Sequence, residues 1–296
     1  MQKILKGLGY AAVGLLALAL LTAAAVYLLS ENRLNARFDV PAERLTFQTS
    51  PEAVASGEHL VLIRGCTDCH GSDLGGGVVI DDSMLGSIYA ANLTTGSGGI
   101  GSSVSDEDLA RAIRHGVRRD GTGLLVMPSA EYAHLSDGDI NAMIAYIRSV
   151  PAVDQHLPPV RLTLLARFLF LAGQLPPLAA EIIDHQASRL ESPPPAVDAS
   201  YGEYLALSCT GCHGRDYSGG PVPGAAPGAP ESANLTPAGE LAGWSEADFM
   251  QTLRTGVTPE GRQLDPSVMP WPMTAQMTDL ELQAIWTFLQ TLSPVQ

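Results

Sequence analysis

The chain has few cysteines, few lysines and little charge, and each shortage limits what it can be. Four cysteines occur in 296 residues, and all lie in two C-x-x-C-H patterns, so none remains for a structural disulfide. Charged residues make up 16% of the chain, against about a quarter in typical domains. The formal net charge of −14 argues against a nucleic-acid partner. The 17 basic residues include only two lysines, Lys3 and Lys6, which excludes a docking surface ringed by lysines.

The N-terminal region contains an uncharged, apolar run from residue 8 to residue 29, which is long enough to span a bilayer as a helix. Lys3 and Lys6 precede this run and favour a cytoplasmic N terminus with an exported body. The competing interpretation is a signal peptide cleaved near residues 23–25. Because the run continues past that point, we expect residues 1–30 to be a single-pass anchor in the bacterial cytoplasmic membrane, with the body in the periplasm.

Two short motifs carry the chemistry. Residues 66–71 read CTDCHG and residues 209–214 read CTGCHG. C-x-x-C-H is the attachment pattern of c-type haem. Residues three apart lie on one face of a helical turn, so both thiols can bond to the vinyl groups of one porphyrin while the histidine binds the iron. The sequence therefore predicts two covalently attached haem c groups, held by Cys66, Cys69 and His70 and by Cys209, Cys212 and His213.

Two other uses of paired cysteines fit less well. A thioredoxin-like redox pair needs a βαβ setting, whereas a Gly-rich stretch follows each motif. A structural zinc site needs four ligands, so the two distant cysteine pairs would have to combine. Two matched motifs, each at the head of the same internal repeat, favour haem.

The second half of the chain repeats the first. Residues 105–121 align with 245–261, and residues 135–150 align with 277–292, at offsets of 140 and 142. A nearly constant offset indicates two copies of one domain. Each copy is predicted to be mostly helical, with N-caps that include Ser105 and Ser245 and with Gly- and Pro-rich loops between the helices.

The repeat divides the chain into segments. We expect an anchor at 1–30, a linker at 31–50, a first domain at 51–153, a connector at 154–195 and a second domain at 196–296. The connector contains an apolar stretch at 161–186 that is too short and too interrupted by proline to span a membrane. Three interpretations of it stay open, namely packing between the domains, lying on the bilayer surface and binding a partner.

Each repeat also offers a ligand for the second face of the iron. Met127 and Met269 follow their histidines by 57 and 56 residues, and each precedes a proline. We predict thioether ligation by both, which favours electron transfer, whereas an open iron face permits peroxide or oxygen chemistry. The alternatives are Met84, Met143, His115 and His134 in the first copy, and Met273 and Met277 in the second.

Two further pairs of residues align between the copies. Arg114 and Arg254 are candidate partners of the haem propionates, because a guanidinium binds carboxylates in a bidentate manner. Asn92 and Asn234 are candidates for hydrogen bonds near the haem edge. The simpler interpretations are a solvated helix arginine and an asparagine that shapes a loop.

The strings CHGSDLGGG, NLT, SDEDLARAIRHGVRRDG and VMPSAEYAHLSDGDINAMIAYIRSVP, with their second-copy counterparts, resemble class I cytochrome c. More narrowly, they resemble the cytochrome subunits of membrane-bound alcohol, aldehyde and gluconate dehydrogenases. The resemblance implies an all-α fold of two tandem class I cytochrome c domains behind a single N-terminal transmembrane helix. It implies iron ligation by His70 with Met127 and by His213 with Met269.

The resemblance also implies a function. The chain would be an electron-transfer protein and not an enzyme, relaying single electrons between a dehydrogenase or respiratory complex and an acceptor such as the quinone pool. The rivals are a di-haem peroxidase, the haem subunit of a terminal oxidase complex, and a redox or gas sensor.

The chain departs from this family in several ways. The family usually has three haems and a C-terminal membrane helix, whereas this chain has two motifs and an N-terminal apolar run. Class I cytochromes often have a proline whose carbonyl orients the proximal imidazole. Pro221 or Pro223 is the candidate in the second copy, and the first copy has Val78 and Ile80 in that region.

Overall fold

The computed structural model describes residues 2–40, 45–223, 225 and 228–295. Within these ranges the chain forms an N-terminal helix, two similar helical domains and a connector. The predicted linker at 31–50 is described only in part, because residues 41–44 lie outside the described ranges. The first residue of the predicted anchor and the last residue of the predicted second domain also lie outside them.

The helices follow the order of the sequence repeat. The N-terminal helix is α1 (Gln2–Leu34). The first domain contains α2 (Pro51–Ile63), α3 (Cys66–His70), α4 (Asp106–His115), α5 (Ser129–Tyr132) and α6 (Asp137–Ser149). The connector contains α7 (Leu164–Leu171) and α8 (Ala179–Ile182). The second domain contains α9 (Ala199–Ala206), a 3₁₀ turn (Leu207–Cys209), α10 (Thr210–His213), α11 (Glu246–Thr255), α12 (Trp271–Thr274) and α13 (Asp279–Leu289).

Capping residues determine where the matched helices begin. Ser105 starts α4 and Ser245 starts α11, and each forms a capping box with the aspartate three residues later. The serine oxygen accepts from a backbone N–H while the carboxylate accepts from the cap residue, so two free donors are satisfied. The predicted N-caps at these two serines are confirmed.

Each domain is built on one close crossing of two helices. In the first domain α2 crosses α6 at Gly57, and in the second α9 crosses α13 at Gly202. A Cβ atom at Gly57 would lie 1.9 Å from the carbonyl oxygen of Ala142, and one at Gly202 would lie 2.0 Å from that of Ala284. Only glycine allows the two backbones to approach this closely.

The two domains share one continuous hydrophobic core. Side chains of both domains also form hydrogen bonds across the boundary. His59 binds Glu281, and Tyr204 accepts from the backbone N–H of Ser136 at 2.8 Å. Arg64 binds Ser208 beside the second cysteine motif. The domains therefore pack directly against each other.

A small antiparallel sheet departs from the expected all-α class. Strand β1 (Gly77–Asp82) pairs with β2 (Gly86–Ala90), which pairs with β3 (Arg161–Leu162) of the connector. The glycine-rich sequence of the β1–β2 region predicts a loop, and that prediction is wrong. Ile88 is buried, so this hairpin has an apolar face that it packs inward.

The matching segment of the second domain forms no such hairpin in its described residues. A single bridge joins Gly220 to Ser232 there. Pro221 and Pro223 lie in this segment, and proline cannot donate to a sheet ladder, so pairing does not extend.

Helix α1 is the only helix among the described residues that is long and apolar enough to cross a membrane. Its C-terminal end is bound to the connector. Arg33 forms an ion pair with Glu181 at 2.7 Å, and Arg167 of α7 binds Glu31 at 2.8 Å. The connector therefore holds the end of α1 against the first domain, while Phe168 of α7 remains 52% exposed.

Candidate haem-binding sites

The first C-x-x-C-H motif lies on the short helix α3, and the second begins at Cys209, the last residue of the 3₁₀ turn, and continues through α10. Gly71 follows the first histidine and Gly214 follows the second, with φ of 80° and 78°. This conformation is accessible to glycine and strained for other residues, so each glycine ends its helix directly after the histidine. The helical turn places both cysteines of a motif on one side, as the spacing predicts.

Both histidine rings are oriented by a backbone carbonyl. Nδ1 of His70 lies 2.8 Å from the oxygen of Ala91, and Nδ1 of His213 lies 2.7 Å from that of Ala233. A carbonyl only accepts, so Nδ1 carries the proton and Nε2 keeps its lone pair for a metal. Burial lowers the pKa of both imidazoles, which favours this neutral form.

The orienting carbonyls are not the ones expected from the family pattern. Val78 and Ile80 lie in strand β1 and do not serve the first histidine. In the second domain the carbonyl belongs to Ala233, so the suggestion of Pro221 or Pro223 is wrong. A backbone oxygen has the same chemistry in any residue, so no particular side chain is needed at that position.

Asn92 directly follows Ala91, and Asn234 directly follows Ala233. Each asparagine side chain holds the loop of its alanine in place through hydrogen bonds. The amide of Asn92 donates to the carbonyl of Val153 at 2.7 Å, and its oxygen accepts from the N–H of Thr94 at 2.9 Å. Asn234 makes the same two bonds, with Val295 at 2.7 Å and Thr236 at 2.8 Å. Each asparagine thus joins the carbonyl that orients a histidine to the C-terminal end of its own domain.

Each motif borders a large apolar cavity. The first has a volume of about 440 Å³ and is lined by Cys66, Cys69, His70 and Met127, among others. The second has a volume of about 560 Å³ and is lined by Cys209, Cys212, His213 and Met269. Both volumes fall within the range typical of cofactor sites, about 300–1,000 Å³. The structure therefore brings together, in each domain, the two cysteines, the histidine and the predicted methionine.

The donor set fits covalent haem better than a zinc ion. Burial raises the pKa of the Cys66 thiol to about 12 and that of Cys209 to about 11, so these sulfurs are poor thiolate ligands. Among the described residues no group of three or more His, Cys, Asp or Glu side chains could hold a metal ion. An apolar cavity with two thiols on one wall suits a porphyrin bound through thioethers.

The alternative ligands divide into two groups. Met143 lines the first cavity, and Met273 and Met277 line the second. Met84 is 63% exposed on the surface. His115 contacts His185, with their Nδ1 atoms 2.9 Å apart, and His134 packs edge-on against Tyr204. The two histidines are therefore engaged outside the first cavity.

Arg114 and Arg254 form contacts between helices of their own domains. Arg114 is buried and donates to the carbonyl of Leu135 at 2.9 Å and to Asp137 at 2.6 Å. Arg254 donates to the carbonyl of Ala275 and to Asp279. Each arginine thereby joins its own helix, α4 or α11, to the start of the last helix of its domain.

Different arginines border the cavities. Arg118 lines the first and Arg262 lines the second. The same turn occurs in both domains and is closed by a backbone hydrogen bond. The N–H of Arg118 donates to the carbonyl of Thr122 in the first domain, and the N–H of Thr258 donates to the carbonyl of Arg262 in the second. The cavity-lining arginine is therefore the first residue of the turn in one domain and the last in the other. Because the two arginines do not align in the repeat, comparing the copies position by position missed them.

Comparison with known families agrees with this geometry. Residues 52–147 match the family model described as cytochrome C oxidase, cbb3-type, subunit III, and residues 199–293 match the model described as cytochrome c. The chain therefore contains two c-type cytochrome domains. It is a di-haem cytochrome with two covalently bound haem c groups, one for each matched domain.

The cytochrome is similar to several subunits of known dehydrogenases. The fructose dehydrogenase cytochrome subunit of Gluconobacter japonicus is 29% identical over 278 residues, which cover 85% of this chain and 55% of the relative. The alcohol dehydrogenase (quinone) cytochrome c subunit of Gluconobacter oxydans (strain 621H) is 29% identical over 71% of this chain and 48% of its own length. The cytochrome spans about half the length of these two curated relatives.

A third relative matches over a shorter stretch. The gluconate 2-dehydrogenase cytochrome c subunit of Pantoea cypripedii is 36% identical over 105 residues, which cover 33% of this chain and 23% of the relative. Each of the three relatives is named as a cytochrome subunit of a dehydrogenase.

Proposed function

We propose that this cytochrome carries single electrons between a membrane-bound dehydrogenase and an acceptor, and that it performs no bond chemistry of its own. The observation that carries the proposal is the matched pair of cavities. Each presents an oriented imidazole, two thiols and a methionine on one apolar lining. An iron with two strong protein ligands changes its oxidation state without binding a substrate.

The proposed iron ligands are His70 with Met127 and His213 with Met269. When bound, haem supplies a one-electron couple to each domain. The chain's own residues orient the imidazole, exclude water with an apolar lining and supply a thioether, which raises the reduction potential relative to a second histidine. Arg118 and Arg262 are the proposed partners of the negatively charged haem edge, because they line the cavities.

The proposed electron donor is a dehydrogenase, as in the names of the relatives. Helix α1 is the proposed membrane anchor, with both haem domains in the periplasm. The lysines before the apolar run support this orientation, since positive residues tend to stay on the cytoplasmic side. Ion pairs between α1 and the connector would hold the first domain close to the membrane.

The proposal is tested first by the spin state of the iron. The full chain is purified from membranes in detergent, its haem is counted, and optical and EPR spectra of the oxidised form are recorded. We expect two low-spin haems that both show the weak methionine-sulfur-to-iron charge-transfer band. One high-spin haem that binds cyanide readily would contradict the proposal and favour the di-haem peroxidase.

Methionine variants assign the ligands. We expect Met127→Ala and Met269→Ala each to convert one haem to a high-spin form and to remove half of the charge-transfer band. Met84→Ala is the matched control, because this side chain is exposed on the surface. If Met273→Ala or Met277→Ala removed the second band instead, the assignment of Met269 would be wrong.

The donor is tested in membranes. Membranes with and without the cytochrome are given a hexose, a primary alcohol or gluconate, and reduction of c-type haem is followed optically. We expect one of these substrates to reduce this cytochrome.

An alkaline wash that leaves the protein in the membrane fraction would support α1 as its anchor, whereas release of an N-terminally shortened chain would support a cleaved signal peptide.

A further inference from the structure

A buried arginine lies between the two cysteine motifs. Arg64 is the C-cap residue directly after α2 and is 3% exposed. Its Nη1 donates to the carbonyl of Leu205 at 3.2 Å and to the hydroxyl of Ser208 at 2.9 Å, both in the second domain. Its Nε and Nη2 are buried without a hydrogen-bond partner in the described part of the chain.

The position of Arg64 connects the two sites. Arg64 is two residues before Cys66, and the Ser208 that it binds directly precedes Cys209. Gly65 lines the first cavity and Ser208 lines the second. One guanidinium therefore lies next to the first cysteine of both motifs.

The charge of this guanidinium reaches both motifs. Burial raises the pKa of the Cys66 and Cys209 thiols, and the positive charge of Arg64 is the largest effect that opposes this rise at each one. A single cation in the domain interface thus acts on sulfur atoms of both sites. In a medium of low polarity such an effect extends over longer distances than it does in water.

No carboxylate directly balances this charge in the described residues. Burial raises the pKa of Glu131, in the same domain, to about 7, and the charge of Arg64 opposes this rise. The carboxyl of Glu131 packs against Gly211 between the cysteines of the second motif, and no ion pair joins it to Arg64. Burying a cation with unsatisfied donors is costly, so such a residue in an interface calls for a functional explanation.

We propose that Arg64 is a shared electrostatic control residue, whose buried positive charge raises the reduction potentials of both haems. Reduction adds one negative charge to each haem, and a nearby cation in an apolar interface stabilises that added charge. Arg64 does not bind iron and acts on the haems only through its charge. The inference rests on the proposed electron-transfer function.

The experiment is a spectroelectrochemical titration of the full-length protein in nanodiscs. We expect Arg64→Met to lower the equilibrium constant for reduction of both haems by about tenfold, which corresponds to about 59 mV for one electron. Arg64→Lys retains a positive charge and should restore most of the loss. His59→Gln is the matched control, because it removes another contact of the same interface away from the motifs.

The outcomes separate this inference from the function on which it rests. If Arg64→Met left both potentials unchanged while both haems stayed low-spin, Arg64 would be a structural residue and only this inference would fail. If one potential moved alone, the shared role would be wrong. If Arg64→Lys behaved like Arg64→Met, hydrogen bonding and not charge would be responsible. Should Arg64→Met fail to bind haem, Arg64→Gln provides the neutral variant for the same titration.

Discussion

Nε2 of His59 in the first domain lies 2.8 and 2.9 Å from the two carboxylate oxygens of Glu281 in the second. Tyr204 of the second domain makes the equivalent contact with Asp139 of the first. Glu281 follows Asp139 by the same 142 positions that separate Ala284 from Ala142 at the helix crossings. The two copies therefore pack through equivalent surfaces, with a charged contact on one side and a phenol–carboxylate contact on the other.

The contact between His59 and Glu281 makes the interface sensitive to pH. The hydrogen bond to Glu281 raises the pKa of His59 above 6.5. Burial would raise the pKa of Glu281, but hydrogen bonds from His59 and Thr278 lower it below 4.5. The stabilising contribution of His59 is thus complete below pH 6.5 and is lost as the pH rises through its raised pKa.

We therefore expect the free energy of unfolding to decrease as the pH rises above about 6.5 by more in the native chain than in His59→Gln. The contribution of Glu281 is lost instead as the pH falls below 4.5, through its lowered pKa. Urea unfolding at half-unit pH steps measures both effects. Equal slopes in the two proteins above pH 6.5 would contradict the prediction.

The second contact is tested by Tyr204→Phe. This change removes the acceptor for the buried N–H of Ser136 and the donor to Asp139. We expect a loss of about 1–3 kcal/mol in the free energy of unfolding, because a buried donor loses its partner. Tyr146→Phe on α6 is the control, because this half-buried side chain makes no hydrogen bond through its hydroxyl in the described residues, so we expect a change of less than about 0.5 kcal/mol. A neutral Tyr204→Phe would mean that the interface does not depend on this contact.

The two helix crossings are tested by Gly57→Ala and Gly202→Ala. Each new methyl group would lie only 1.9–2.0 Å from a backbone carbonyl oxygen, far closer than van der Waals contact, so the helices must separate. We expect a destabilisation of about 1–3 kcal/mol or more in each case, despite the better helix propensity of alanine.

Gly138→Ala on α6 is the matched control for these crossings. Its methyl group would meet Ser136 Oγ at an ordinary 3.7 Å, so we expect no loss of stability and a gain of up to about 1 kcal/mol. Thermal unfolding with haem absorbance as the signal measures all three variants. A stabilising Gly57→Ala would show that α2 and α6 do not cross as described.

The asparagine loops are tested by Asn92→Ala and Asn234→Ala. Each change frees the loop whose carbonyl orients a proximal histidine, so we expect the reduction potential of that domain's haem to shift while the other stays constant. We also expect Asn92→Ala to cost about 2 kcal/mol, because this side chain is buried and loses two or more hydrogen bonds. Asn141→Ala, whose partner Gln48 is on the surface, is the control. Equal shifts of both potentials would contradict a role confined to one domain.

The sequence by itself determined the chemistry of this protein. Cysteine and histidine in a C-x-x-C-H pattern are covalent and metal-binding groups, and their spacing within one helical turn suffices to indicate haem. Comparison of the two copies also selected Met127 and Met269, which line the cavities with the motif residues. Helix starts followed from local capping chemistry, as at Ser105 and Ser245.

Only the tertiary structure decided which groups surround that chemistry. The carbonyls of Ala91 and Ala233 orient the histidines, and a backbone oxygen has no signature in a sequence. The β1–β2 hairpin forms because Ile88 can be buried, which depends on a surface that folding creates. Nothing in the sequence distinguishes Arg64 from the other arginines. Its hydrogen bonds to Leu205 and Ser208, more than a hundred residues away, form only in the folded chain. Burial and contact between distant segments, which give these residues their roles, exist only once the domains have packed.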